Sequence, residues 1–139
     1  MTDEELLLKR LAFIETCLRD LRTLAHPEAI EVDVKERRFI EHTLQVCIQA
    51  VQDIASHIVS DERLGEPKYN SDLLNLLVGA GWLPNDLAPP LRAAIGFRNV
   101  LVHGYTDVDP AVVRDVLEHH LSDIEAFVHH VRGRLSRPA

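Results

Sequence analysis

The sequence predicts an all-α protein, an antiparallel bundle of four to five helices, and three observations carry that prediction. Apolar residues recur at helical spacing in successive segments, and no segment of comparable strength alternates with period two. At 139 residues with 46% hydrophobic content, the chain is long and apolar enough to bury one core without a metal or a disulfide. A single helical domain over residues 1–139 is the expectation.

Residues 2 to 25 open with "TDEE", in which Thr2 is placed to cap a helix and Glu5 to reach back to it, and continue with Leu7, Leu11, Ile14, Leu18 and Leu21 on one face. After "HPEAIEVD", the stripe Ile40, Leu44, Cys47, Ile48, Val51, Ile54, Ala55 and Ile58 predicts a second, longer helix. It should end before "DERLGEPKYNS", where Gly65 and Pro67 break the pattern. A short helix from about Asp72 to Ala80 follows, stopped by Gly79 and Gly81. "LPNDLAPP" then supplies prolines suited to a first helical turn, and a fourth helix runs from Pro89 to about Gly104. Beyond "YTDVDP", the register Val113, Leu117, Leu121, Ile124, Val128, Val131 and Leu135 predicts one last helix from Pro110 to about Leu135.

The formal charge of −7 argues against a protein that holds nucleic acid by a broad electrostatic footprint, so any such contact must be local. Two basic clusters survive, Lys35 with Arg37 and Arg38, and Arg132 with Arg134 and Arg137; both read as solvated helix faces. Cys17 and Cys47 sit at apolar-periodic positions and read as buried free thiols, which predicts a cytoplasmic protein. Charged residues interrupt every apolar run, so no membrane span is expected.

The fourth helix closes on "RNVLVHGY". On a wheel at about 100° per residue, Leu91, Ala94, Ile95, Leu101 and Val102 form the core stripe, and Arg98 and Tyr105 fall within or beside it. Asn99 and His103, four apart, share a flank next to Gly96, whose missing side chain should leave a shallow depression with room for a ligand. An arginine on an apolar stripe needs a carboxylate, a set of carbonyls, a bound anion or a polar interface. Asp53 on the second helix is one candidate partner, with His57 one turn away. Two readings stay open on the residues alone: an Arg98–Asp53 salt bridge with His103 exposed at a helix end, or a catalytic site with Asp53 and His57 in a supporting layer. Tyr105 by itself reads as a helix-end aromatic that packs on the core and bonds through its hydroxyl.

Arg98, Asn99 and His103, an arginine and a polar residue followed by three residues and a histidine, resemble the signature of the HEPN superfamily. More narrowly, "GFRNVLVHGY" with Tyr105 two residues after the histidine is similar to the HepT-like branch. "VQDIASHIVS", "LLVGAGWLP" and "DVDPAVVRDVL" extend the likeness from about Phe39 to Val131. The resemblance implies a dimeric helical bundle that acts as the toxin of a bacterial toxin–antitoxin pair, cleaving messenger or transfer RNA without a metal or other cofactor. It implies Arg98 and His103 as catalytic residues at a cleft between protomers and Asn99 as a supporting residue. It also implies a minimal nucleotidyltransferase partner of the MntA type, which silences the toxin by transferring AMP to Tyr105. A rival within the same resemblance is a non-catalytic HEPN module that binds nucleotide or serves the transferase as an accessory subunit.

Metal-free RNA cleavage requires a proton to leave the 2′-hydroxyl, a charged phosphorane to be stabilised and the leaving 5′-oxygen to be protonated. Histidine suits the proton steps near neutral pH, and a guanidinium suits the non-bridging oxygens. One motif copy supplies one histidine, so two facing motif helices in a C2 dimer form the natural site. The histidine pairs His119–His120 and His129–His130 do not form a metal site by spacing, because adjacent residues point about 100° apart. The cysteines likewise lack CxxC spacing.

Overall fold

The computed structural model describes residues 3–104 and 108–136. Its regular elements are all helical: α1 (Glu4–Leu24), α2 (Val34–Asp61), α3 (Asp72–Gly79), α4 (Ala88–His103), α5 (Pro110–His119) and α6 (Leu121–Leu135). Single 3-10 turns lie at Pro27–Ala29 and Asn85–Leu87. α2 is the central helix, packed by each of the other five, and its predicted stripe from Ile40 to Ile58 is buried throughout. The buried side chains of all six helices form one contiguous cluster. Among the described residues no helix is long and apolar enough to cross a membrane.

The helix ends follow local chemistry. Asp3 caps α1, its Oδ1 accepting from the Leu6 N–H at 3.1 Å; Thr2, the expected cap, lies outside the described residues. Asp33 caps α2 by accepting from the Lys35 N–H at 2.9 Å, and Asp109 caps α5 by accepting from Ala111, with Pro110 in the first turn. α3 stops as its glycines predict: Trp82 N–H reaches Leu77 O and Gly81 N–H reaches Val78 O, with Gly81 left-handed at φ 81°. α2 ends in the same pattern, Leu64 N–H to Val59 O and Arg63 N–H to Ser60 O, but with Arg63 in the left-handed position at φ 52°.

The predicted last helix is two. His120 leaves helical geometry at φ −120° and ψ 1°, and its imidazole lies 3.3 Å from Asp115 on α5 and 3.1 Å from Asp123 on α6. Only one residue departs, so Leu117 and Leu121 keep their four-residue spacing and the apolar register runs on through the break. Cys17 and Cys47 are free and buried where α1 meets α2. A hydrogen bond with Cys17 and then burial raise the Cys47 thiol well above its ordinary range, which keeps it unreactive.

Two exposed backbone positions carry the wrong residue for their geometry. Arg63→Gly relieves a left-handed arginine, and Gly133→Ala fills open space in α6, where an added Cβ meets nothing within 4 Å. Each substitution should stabilise the protein by about 0.5–1 kcal/mol. Calorimetry should register each as a rise in Tm of roughly 2–4 °C.

Candidate functional site

α4 enters from the Asn85–Leu87 turn with Pro89 and Pro90 in its first turn and packs against α2, α3 and α6. Leu91, Ile95 and Leu101 are buried as the wheel requires, and Phe97 is buried too. Because α6 and α3 as well as α2 cover the helix, its buried face is wider than one stripe. The remaining face is a ridge of Arg92, Gly96, Asn99 and His103 at helical spacing, the last three exposed and Arg92 partly so. The predicted depression beside Gly96 is present. It is a hollow of about 470 Å³ between the 69–71 loop and the Arg92, Ile95, Gly96 and Asn99 positions of α4.

Arg98 is half-buried, and no Arg98–Asp53 salt bridge forms. Asp53 instead takes Arg10 of α1 at 3.4 Å and the Gln49 amide at 2.9 Å. α1 lies against this side of α2, so a nearer cation satisfies the carboxylate. His57 Nε2 lies 2.9 Å from Asp61 Oδ2, out of line for a hydrogen bond, and neither Asp53 nor His57 bonds to Arg98, Asn99 or His103. Arg98 keeps one protein partner among the described residues, donating from Nη1 to Asn99 Oδ1 at 3.2 Å, while its Nε is shut off from solvent with no acceptor. A guanidinium so held retains a full charge and unsatisfied donors, which favours an anion or a polar partner surface.

His103 is the last residue of α4, exposed, and its imidazole makes no hydrogen bond to a described residue; Gly104 N–H closes the helix on Val100 O at 2.7 Å. Five residues along a helix separate Arg98 and His103 by about 7.5 Å of rise and about 140° of rotation, so one helix does not aim both at one atom. Tyr105, expected on the face of Arg98, lies outside the described residues.

Sequence reasoning missed two features. Gln52 is the buried polar side chain of the α2 stripe, 4% exposed, with Oε1 unpartnered; a glutamine in phase with Ile48 and Ala55 was the available signal. The basic clusters are not simple solvated faces. Arg37 and Arg38, with Glu41 and His42, line a second hollow of about 360 Å³ that reaches Leu101 near the end of α4. Arg132 pairs with Glu15 at 2.5 Å, and Arg134 lies 5.0 Å over the Trp82 ring and donates to Ala80 O at 3.2 Å, tying α6 to the α3 exit. Lys35 is exposed in the first turn of α2, and Arg137 lies outside the described residues. His129 and His130 meet edge to face at 5.5 Å, and among the described residues no three potential ligands gather as a metal site.

The bundle and its motif helix define a HEPN-type protein, and the family model described as ribonuclease HepT-like matches residues 14–131: the chain belongs to that family. It is 28% identical over 125 residues to the mRNA nuclease HepT of Shewanella oneidensis, covering 89% of this chain and 94% of that one. It is 30% identical over 101 residues to the tRNA nuclease HepT of Aphanizomenon flos-aquae, covering 73% of this chain and 69% of the relative. Among solved structures, it matches the tri-AMPylated Shewanella oneidensis HEPN toxin in complex with MNT antitoxin with a TM-score of 0.84 and 28% identity, over 96% of this chain and 99% of that chain.

Burial raises the Glu41 carboxyl above its ordinary value despite Arg37 and Arg38, which pull it down. A carboxyl raised on folding contributes its stability below the unfolded value and loses it as pH rises. Glu41→Gln should therefore be more stable than the parent at pH 7 in urea titrations, and the gain should vanish as pH falls to about 4.

Proposed function

We propose that this protein is the ribonuclease toxin of a toxin–antitoxin pair, a metal-independent endoribonuclease acting on messenger or transfer RNA. The observation that carries the proposal is Arg98, a half-buried guanidinium that meets no carboxylate among the described residues, on the same helix as the exposed His103 five residues further on. The HepT nuclease relatives support the same chemistry. Arg98 binds the non-bridging oxygens of the scissile phosphate, and Asn99, already bonded to it, holds its orientation. His103 of one protomer takes the proton of the 2′-hydroxyl as the 2′-oxygen bonds to phosphorus. His103 of the second protomer delivers a proton to the departing 5′-oxygen. The products are a 2′,3′-cyclic phosphate and a free 5′-hydroxyl. A C2 dimer supplies both histidines and covers Arg98.

Control lies with a minimal nucleotidyltransferase of the MntA type that transfers AMP to the Tyr105 oxygen, a reading supported by the AMPylated relative bound to its antitoxin. Two residues past His103 in the chain, an AMP group brings a phosphate and a base to the place where RNA must enter. The site is in the cytoplasm, in keeping with two buried, unbridged cysteines.

Unmodified protein, dimeric by light scattering at micromolar concentration, should cleave RNA in EDTA and leave 2′,3′-cyclic ends. His103→Ala should lower the rate by about 10²–10⁴-fold and Arg98→Ala by about 10²–10³-fold. Equal cleavage by parent and variants, or a fully active monomer, would remove the composite site. Intact mass after co-expression with the transferase should rise by AMP units, and Tyr105→Phe should abolish the increase.

A further inference from the structure

We infer that the hollow beside Gly96 receives one unpaired base of the RNA, next to the phosphate that is cut, with Tyr69 as its stacking surface; the inference rests on the ribonuclease reading above. The hollow continues the ridge on which Asn99 and His103 stand, so a strand engaged at His103 passes over it. Its volume of about 470 Å³ falls in the range that holds small ligands, roughly 300–1,000 Å³.

Three features are built for a base. Tyr69 is 65% exposed at the rim, a large ring that the core does not use, with Lys68 Nζ 5.9 Å from its centroid. The loop beneath it is pinned: the Lys68 and Tyr69 N–H groups both donate to Asp72 Oδ2 at 3.1 Å, and Asp72 N–H donates back to Tyr69 O at 3.0 Å. With the backbone pinned, only the two side-chain torsions of the ring remain to be ordered when a base stacks on it. Gly96, in the middle of α4, is the second feature. A Cβ there meets nothing within 4 Å, so the glycine weakens the helix without serving the protein's own packing and keeps the floor of the hollow low.

The third feature is polar supply. Asn99 uses Oδ1 on Arg98, leaving its amide N–H donors for a base edge, and Asn70 faces the same hollow. Arg92 gives Nη1 to Asn75 Oδ1 at 2.7 Å and keeps further donors for a phosphate. A chain of net charge −7 cannot hold RNA by its overall field, so stacking of a single base, which every base can provide, suits it. The base must be unpaired to enter.

The test uses full-length protein and a single-stranded RNA in which 2-aminopurine is walked across the cut site, in EDTA. Bound to His103→Ala, the probe should be quenched at one position, unchanged by adding Tyr69→Phe and lost with Tyr69→Ala. In cleavage, Tyr69→Ala should lower kcat/KM roughly 5- to 150-fold, mainly through KM. Removing the base at that position should cost the parent the same factor and cost Tyr69→Ala nothing more. Gly96→Leu, which fills the hollow, should reproduce the Tyr69→Ala defect. An active parent matched by Tyr69→Ala on every RNA, or one that cuts duplex as well as single strand, overturns the subsite and leaves the ribonuclease reading standing. A parent that never cuts but whose probe is quenched in a Tyr69-dependent way keeps the subsite and removes the ribonuclease. Loss of the dimer in Tyr69→Ala with no dependence on the base makes this face a protomer contact and overturns the proposal.

Discussion

The buried face of α2 is the constraint on which the rest of the structure depends. Every other helix packs on it, and its apolar residues from Ile40 to Val59 are covered almost completely. Burial at about 25 cal/mol per Å² rewards each neighbour for turning its own apolar side inward, so the orientation of α4 is decided by Leu91, Ile95, Phe97 and Leu101. What remains outside follows from that choice. Arg92, Gly96, Asn99 and His103 are left as a ridge because the opposite residues are needed by the core.

Arg98 stands between the two faces, and among the described residues no carboxylate meets its charge. Asp53 is already satisfied by Arg10 and Gln49, and Asn99 supplies a neutral acceptor to one guanidinium nitrogen. Leaving Nε without an acceptor costs stability that an isolated fold has no reason to tolerate. A site that binds a phosphate does have a reason, since an arginine already neutralised by a carboxylate would have to break that pair before it could act. The same logic separates the other basic residues. Arg132 and Arg134 are committed to holding α6 in place, whereas Arg37 and Arg38 line an open hollow near the end of α4.

Local pattern and tertiary pattern diverge at identifiable residues. Helical periodicity named the core positions of α1 and α2 but could not see the break at His120, because a single residue leaving the helix does not shift the apolar phase. It placed Gly96 beside a depression and Asn99 and His103 on its flank, yet it left Phe97 outside the core, since the wheel treats one neighbour and α4 has three. The Arg98–Asp53 pairing failed for a similar reason: spacing says which residues are polar on a stripe, and the choice of ion partner belongs to whichever helix lies nearest.

The sequence by itself determined the helical class, the Arg98–Asn99–His103 motif and the division of α4 into a buried and an exposed side, because these depend on residues three or four positions apart on one helix. Only the tertiary structure decided that α1 claims Asp53, that Arg98 keeps a donor no described residue meets and that the 68–71 loop raises Tyr69 beside Gly96. Those outcomes join residues far apart in the chain, and packing around α2 is what brings them to one place.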